Sequence, residues 1–191
     1  GDVYKRQGDG KTTTSVNLAV AAARAGQNVI VVDCDLRRPR VHEFFGLDNQ
    51  QGFTTAMVGA SLDEVAQPID DEPTLWAVTS GVVPPDPSEL LSTVTAKRFL
   101  RSLVPRFDLV IVDTPPVLVV ADPLVVSASV DAVVMVASAN ATDRRQVQQA
   151  AAQLEQIKAP FIGTVLNGFD LTTSSTYEYR YAYGQYTPDT V

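Results

Sequence analysis

Gly8, Asp9, Gly10, Lys11, Thr12 and Thr13 form a continuous run near the start of the chain, and their types suit the holding of phosphate. The two glycines let the backbone bend so that successive N–H groups point at phosphate oxygens, and a helix starting behind them adds its positive end. Lys11 is placed to reach the β- and γ-phosphates, and the Thr12 hydroxyl to ligate Mg2+. A second grouping is the stretch VIVVDCDLRRP, with Asp33 and Asp35 closing an aliphatic run. Both carboxylates can project near a metal-bound phosphate; a plain pair of surface aspartates is the alternative. A third stretch, FDLVIVDTPP, ends on Asp113, where an ATPase places the carboxylate that holds Mg2+, usually through water.

These residues need strands and helices to bring them together. From Thr13 to Ala25, Val16, Ala19, Val20 and Ala23 recur at helical spacing, and Gly26 is placed to cap the end. NVIVVDCD is a continuous aliphatic run of the kind buried on both faces of a parallel sheet. Ser61 and Glu64 have capping-box spacing and predict a short helix. TLWAVTSG predicts a strand, and Ser88 to Val104 one or two helices with Leu90, Leu91, Val94, Phe99, Leu100 and Leu103 facing inward. FDLVIVDTPP, DAVVMVASA and FIGTVLNGF predict three more strands, and TDRRQVQQAAAQLEQIKA an amphipathic helix through Val147, Ala151, Leu154 and Ile157. The alternation predicts an α/β fold with a doubly wound, mainly parallel sheet in three layers, its ligands at the carboxyl ends of the strands.

A phosphate loop is launched from a buried aliphatic strand, yet the residues ahead of Gly8 read GDVYKRQ. Back-translated, they resemble the end of an oligonucleotide adapter used for sequencing libraries. Residues 1–7 are therefore set aside as non-native, and the fold is expected to lack its first, loop-bearing strand. Without that strand the sheet loses an interior member, so the polypeptide is expected to be weakly active at best. With 191 residues and 45% apolar content the chain suits one domain with a full core. A net charge of −7 argues against a nucleic-acid surface. Cys34, the lone cysteine, reads as a core residue. No stretch has the length and apolarity of a membrane span.

Together the three nucleotide stretches resemble those of the bacterial protein-tyrosine kinases of capsule and exopolysaccharide synthesis, relatives of the MinD/ParA-type P-loop ATPases. GLDNQQGFTTAMVG, SGVVPPDPSELLST and the VADP containing Asp122 are also similar to that family's connecting segments. The likeness runs from Gly8 to about Gly168, and DLRRP with PPDPSELL separates it from the partition ATPases. It implies a kinase domain over residues 8–170 and a tyrosine-rich C-terminal tail over 171–191. ATP and Mg2+ are the implied cofactors.

The implied reaction is ATP-dependent phosphorylation of tyrosine, largely on the tails of neighbouring subunits in a homo-oligomer. Tyr177, Tyr179, Tyr181, Tyr183 and Tyr186 crowd into the tail and are the candidate acceptors; an edge strand or an aromatic docking patch are the alternatives. On this reading Lys11 neutralises developing charge, Thr12 holds the metal, and Asp35 and Asp113 hold its water ligands. Asp33 is the candidate to accept or orient the tyrosine proton. The resemblance makes Asn167 a candidate adenine contact, a turn residue before Gly168 being the other reading. Arg37 and Arg38 are candidates for phosphate, for a neighbouring subunit, or for a solvated turn. It also implies a membrane activator or a fused N-terminal chain-length-determinant domain, and a place at the inner face of the cell membrane. A partition or positioning ATPase, switching its binding to membrane or DNA, is the competing function.

Overall fold

The computed structural model describes residues 8–169. The segment 1–7 and all five tail tyrosines lie outside them. Helix α1 (Lys11–Arg24) starts directly behind Gly10, whose φ of 80° lies in the left-handed region. It ends where predicted: the Gly26 N–H bonds the Ala23 carbonyl and the Gln27 N–H that of Ala22, a paired closure that Gly26 permits with its φ of 90°. Strand β1 (Val29–Asp33) follows and is buried throughout.

Five short elements come next. Helices α2 (Val41–Phe45), α3 (Phe53–Met57) and α4 (Leu62–Val65) lead into an antiparallel pair, β2 (Ala66–Ile69) and β3 (Glu72–Val78). The Ser61 N–H donates to Glu64 at 2.7 Å, the predicted helix start. Strand β2 was not legible: it is short and contains Pro68, which an edge strand tolerates. The predicted helical span after Ser88 divides into α5 (Pro87–Ser92) and α6 (Val94–Leu103). Thr93 makes the break, its hydroxyl accepting the Ala96 N–H. The break turns Val94 out to 70% exposure, against its predicted inward position, whereas Leu91, Leu100 and Leu103 are buried.

Strand β4 (Leu109–Asp113), a short helix α7 (Asp122–Ser127), β5 (Val133–Ser138), α8 (Arg144–Gln156) and β6 (Phe161–Asn167) complete the described chain. The sheet order is β2-β3-β1-β4, with β1 parallel to β3 and β4; β5 and β6 pair in parallel as a second piece. Among the described residues no strand stands between β4 and β5, although α1 packs on both. The aliphatic β4 is only partly buried.

Alternate residues of β1 feed two cores. Ile30 and Val32 pack with Phe53, Leu91, Leu100, Leu103 and Val126 on one face. Val29 and Val31 pack with Ala19, Ala23, Val41, Leu75 and Ala77 on the other. Each fully buried aliphatic side chain contributes about 1.5–3 kcal/mol, so helices on both faces clamp β1 and fix where its carboxyl end stands. Cys34 is buried in the first core, as expected.

Candidate active site

Strands β1 and β4 run side by side in register, Asp33 opposite Asp113, and the Cys34 N–H bonds the Asp113 carbonyl at 2.8 Å. The two aliphatic strands thus bring their terminal carboxylates to one end of the sheet, where α1 begins. The Thr12 hydroxyl donates to Asp113 Oδ2 at 2.6 Å and the Ser15 hydroxyl to Oδ1 at 3.0 Å. Ser15 was not singled out from sequence; its signal is the i+3 spacing from Thr12 on a helix. Burial holds the Asp113 carboxyl above its usual range, opposed by the two hydroxyls and the Lys11 charge.

Lys11 pairs with Asp9 at 3.5 Å and acts electrostatically on both Asp35 and Asp113. Asp9 is held in turn by the Thr142 hydroxyl at 3.0 Å, a contact with no local sequence signal. Asn167 donates from Nδ2 to the Asp9 carbonyl at 3.2 Å and accepts the Gly168 N–H on Oδ1. The structure therefore places Asn167 against the loop backbone, so close that a Cβ on residue 10 would stand 1.8 Å from its Nδ2. The left-handed φ favours glycine at position 10, and a side chain there would have to displace the Asn167 amide.

Asp33 is fully buried. Its Oδ1 accepts the Asp35 N–H at 3.1 Å, and its Oδ2 accepts the N–H groups of Arg40 and Val41, each at 3.0 Å. Burial raises its pKa to about 7, with Asp113 adding to the rise and the backbone bonds opposing it. A carboxylate has about four acceptor positions, so one remains on Oδ1. Asp35 is partly buried and its carboxyl is also raised, by desolvation first and against the Arg38 N–H. Thr13 is exposed on α1.

Arg37 is bound to two of the connecting segments. Its Nε bonds Asp122 Oδ2 at 2.8 Å, and its Nη2 bonds Ser88 Oγ at 2.8 Å and Asp122 Oδ1 at 3.3 Å. The Ser88 hydroxyl closes the triangle on Asp122.

Comparison with known proteins agrees with this geometry. The family described as "ParA: NUBPL iron-transfer P-loop NTPase" matches residues 5–189. The tyrosine-protein kinase YwqD of Bacillus subtilis is 39% identical over 172 residues, covering 90% of this chain and 73% of its own length. The chain belongs to the bacterial tyrosine-protein kinases. The solved kinase domain of the Escherichia coli tyrosine kinase ETK superposes with a TM-score of 0.83 at 36% identity, over 88% of this chain and 66% of that one. Against the full-length Escherichia coli kinase the chain spans 23% of the relative. The cell-division ATPase MinD of Pyrococcus furiosus, with a TM-score of 0.70 at 20% identity over 84% of this chain and 68% of that one, shares the fold alone. The expected α/β P-loop NTPase fold is thereby established. No helix among the described residues is long and apolar enough to cross a membrane.

Proposed function

We propose that this chain is the phosphotransferase part of a tyrosine autokinase that regulates capsular or exopolysaccharide synthesis, polymerisation or export, using ATP and Mg2+. One observation carries the reading: the phosphate-loop hydroxyl of Thr12 bonds the strand-end carboxylate of Asp113, with Lys11 alongside. The hydroxyls and carboxylates gathered there are hard oxygen donors, the set that Mg2+ takes. Bound there, Mg2+ would neutralise charge on the transferring phosphoryl group.

The roles of the chain's own residues follow. The backbone N–H groups of residues 8–13 cradle the phosphates, and Lys11 swings from Asp9 to the β- and γ-phosphates. Thr12 would hold the metal through its hydroxyl, and Asp35 and Asp113 would hold its water ligands. Asp33, with a pKa of about 7, lies in the range a general base needs at neutral pH. Its remaining acceptor position on Oδ1 can take the tyrosine proton once the 34–40 segment admits the hydroxyl. Asn167 braces the loop from β6 and stays the candidate contact for the adenine. The acceptors are Tyr177, Tyr179, Tyr181, Tyr183 and Tyr186 of a neighbouring subunit. A membrane activator or a fused N-terminal domain brings the kinase to the inner face of the membrane, a reading supported by relatives much longer than this chain.

Incubation with radiolabelled ATP tests the function. Phosphotyrosine on the tail that disappears on Lys11→Met is the expected result. Hydrolysis of ATP without protein labelling would instead support a partition or positioning ATPase.

A further inference from the structure

The end of the second nucleotide stretch and two of the connecting segments converge on one point. Arg37 comes from DLRRP, Ser88 from the start of α5 in PPDPSELL, and Asp122 from VADP at the start of α7. Asp122 is completely shielded while the Arg37 side chain is 38% exposed, so a buried carboxylate depends on a partner reaching in from the rim. Two guanidinium nitrogens and one hydroxyl share its oxygens. Such an arrangement has fixed geometry, because the planar guanidinium fork allows few alternatives.

The same short segment is pinned at its other side by Asp33, which accepts the N–H groups of Asp35, Arg40 and Val41. Asp35 is thus held between two anchors: a backbone bond to Asp33, and the side chain of Arg37 fastened to α5 and α7. Those two helices pack on each other.

We propose that Arg37 is a positioning residue: by bridging the buried Asp122 and Ser88 it holds the 34–40 segment so that Asp35 is kept beside the phosphate loop for the metal site. This rests on the nucleotide-site reading above. Arg37 touches neither substrate nor metal, and its influence passes through Asp35.

Two measurements test it. In the metal-free chain, Arg37→Ala should speed amide hydrogen exchange over residues 34–40 about tenfold, while α1 and β4 keep their protection. In titrations with a fluorescent ADP analogue, the Mg2+ concentration needed to strengthen binding should rise about tenfold, the range for loss of a group that orients a metal-site residue. Affinity without Mg2+ should stay as in the wild type. Arg37→Lys, which keeps charge without the fork, should recover part of both effects. Ser88→Ala, which leaves the ion pair in place, should shift them several-fold in the same direction and serves if Arg37→Ala fails to fold. Wild-type exchange and Mg2+ dependence in the variants would overturn the proposal. So would exchange rising throughout the chain with nucleotide affinity falling equally with and without Mg2+, the signature of a merely structural pair. A wild-type chain that binds no nucleotide overturns the nucleotide-site reading itself, and the proposal with it.

Discussion

Thr12 and Asp113, 101 residues apart in the chain, share a 2.6 Å hydrogen bond from hydroxyl to carboxylate. The bond joins the first turn of α1 to the end of β4, and Ser15 occupies the other carboxylate oxygen. An Asp113→Asn change presents an amide nitrogen that cannot accept one of the two hydroxyl protons. We expect Mg2+-dependent strengthening of nucleotide binding to fall about 10- to 100-fold, read by titrating a fluorescent nucleotide at several Mg2+ concentrations. Unchanged Mg2+ dependence would remove Asp113 from the metal site.

Gly10 and Asn167 make a second pairing that can be separated by mutation. Gly10→Ala meets a backbone penalty of about 1–2 kcal/mol for an L-residue in the left-handed region. It also meets the Asn167 amide, 1.8 Å from the new Cβ. Adding Asn167→Gly should relieve the steric part alone, so the double variant should be more stable than the sum of the single effects predicts. Strict additivity in urea unfolding would show that the contact is not made.

Asp33 predicts a pH dependence of defined sign. Its carboxyl stands at about 7 in the folded chain against an ordinary 3.8, so the folded state binds this proton more tightly than the unfolded state. The stabilisation is fully present below about pH 4 and is lost as pH rises through about 7. In metal-free buffer, urea unfolding at pH 5 and pH 7.5 should show stability falling with pH, and Asp33→Asn should flatten that slope. An identical slope in the variant would refute the shift.

Asp122 predicts the opposite behaviour. Burial pushes its carboxyl up, but the bonds from Arg37 and Ser88 outweigh it and leave the group below its usual range. Its contribution is present above the ordinary carboxylate pKa and disappears as pH falls through the lowered one. Wild type should therefore lose stability below about pH 4 more steeply than Asp122→Asn. Thermal melts across about pH 2.5–5 provide the check.

Changing Tyr177, Tyr179, Tyr181, Tyr183 and Tyr186 together to Phe should abolish labelling by radiolabelled ATP. Nucleotide affinity should remain, because none of these residues belongs to the phosphate loop. Persistent phosphotyrosine after the change would point to an acceptor outside the tail.

Much of the frame was legible from local pattern. The aliphatic run ending at Asp33, the helix from Lys11 to Arg24 with its Gly26 closure, and the run ending at Asp113 all stand where periodicity puts them. Strand β2 was missed because four residues containing a proline carry no strand signal of their own; pairing with β3 makes them a strand. Val94 was misplaced because helical spacing continues through Thr93, whereas the chain breaks there.

What the sequence determined by itself is the chemistry available: a glycine-flanked Lys11 and Thr12, carboxylates at strand ends, and an order of elements that admits a doubly wound sheet. Only the tertiary structure decided who meets whom. Arg37 meets Asp122, 85 positions away, Asn167 meets the Asp9 carbonyl, 158 away, and Asp33 turns inward to three backbone N–H groups. Periodicity of 2.0 or 3.6 residues encodes which face a side chain takes. It does not encode which distant partner stands opposite, because that follows from strand order and helix packing across the whole sheet.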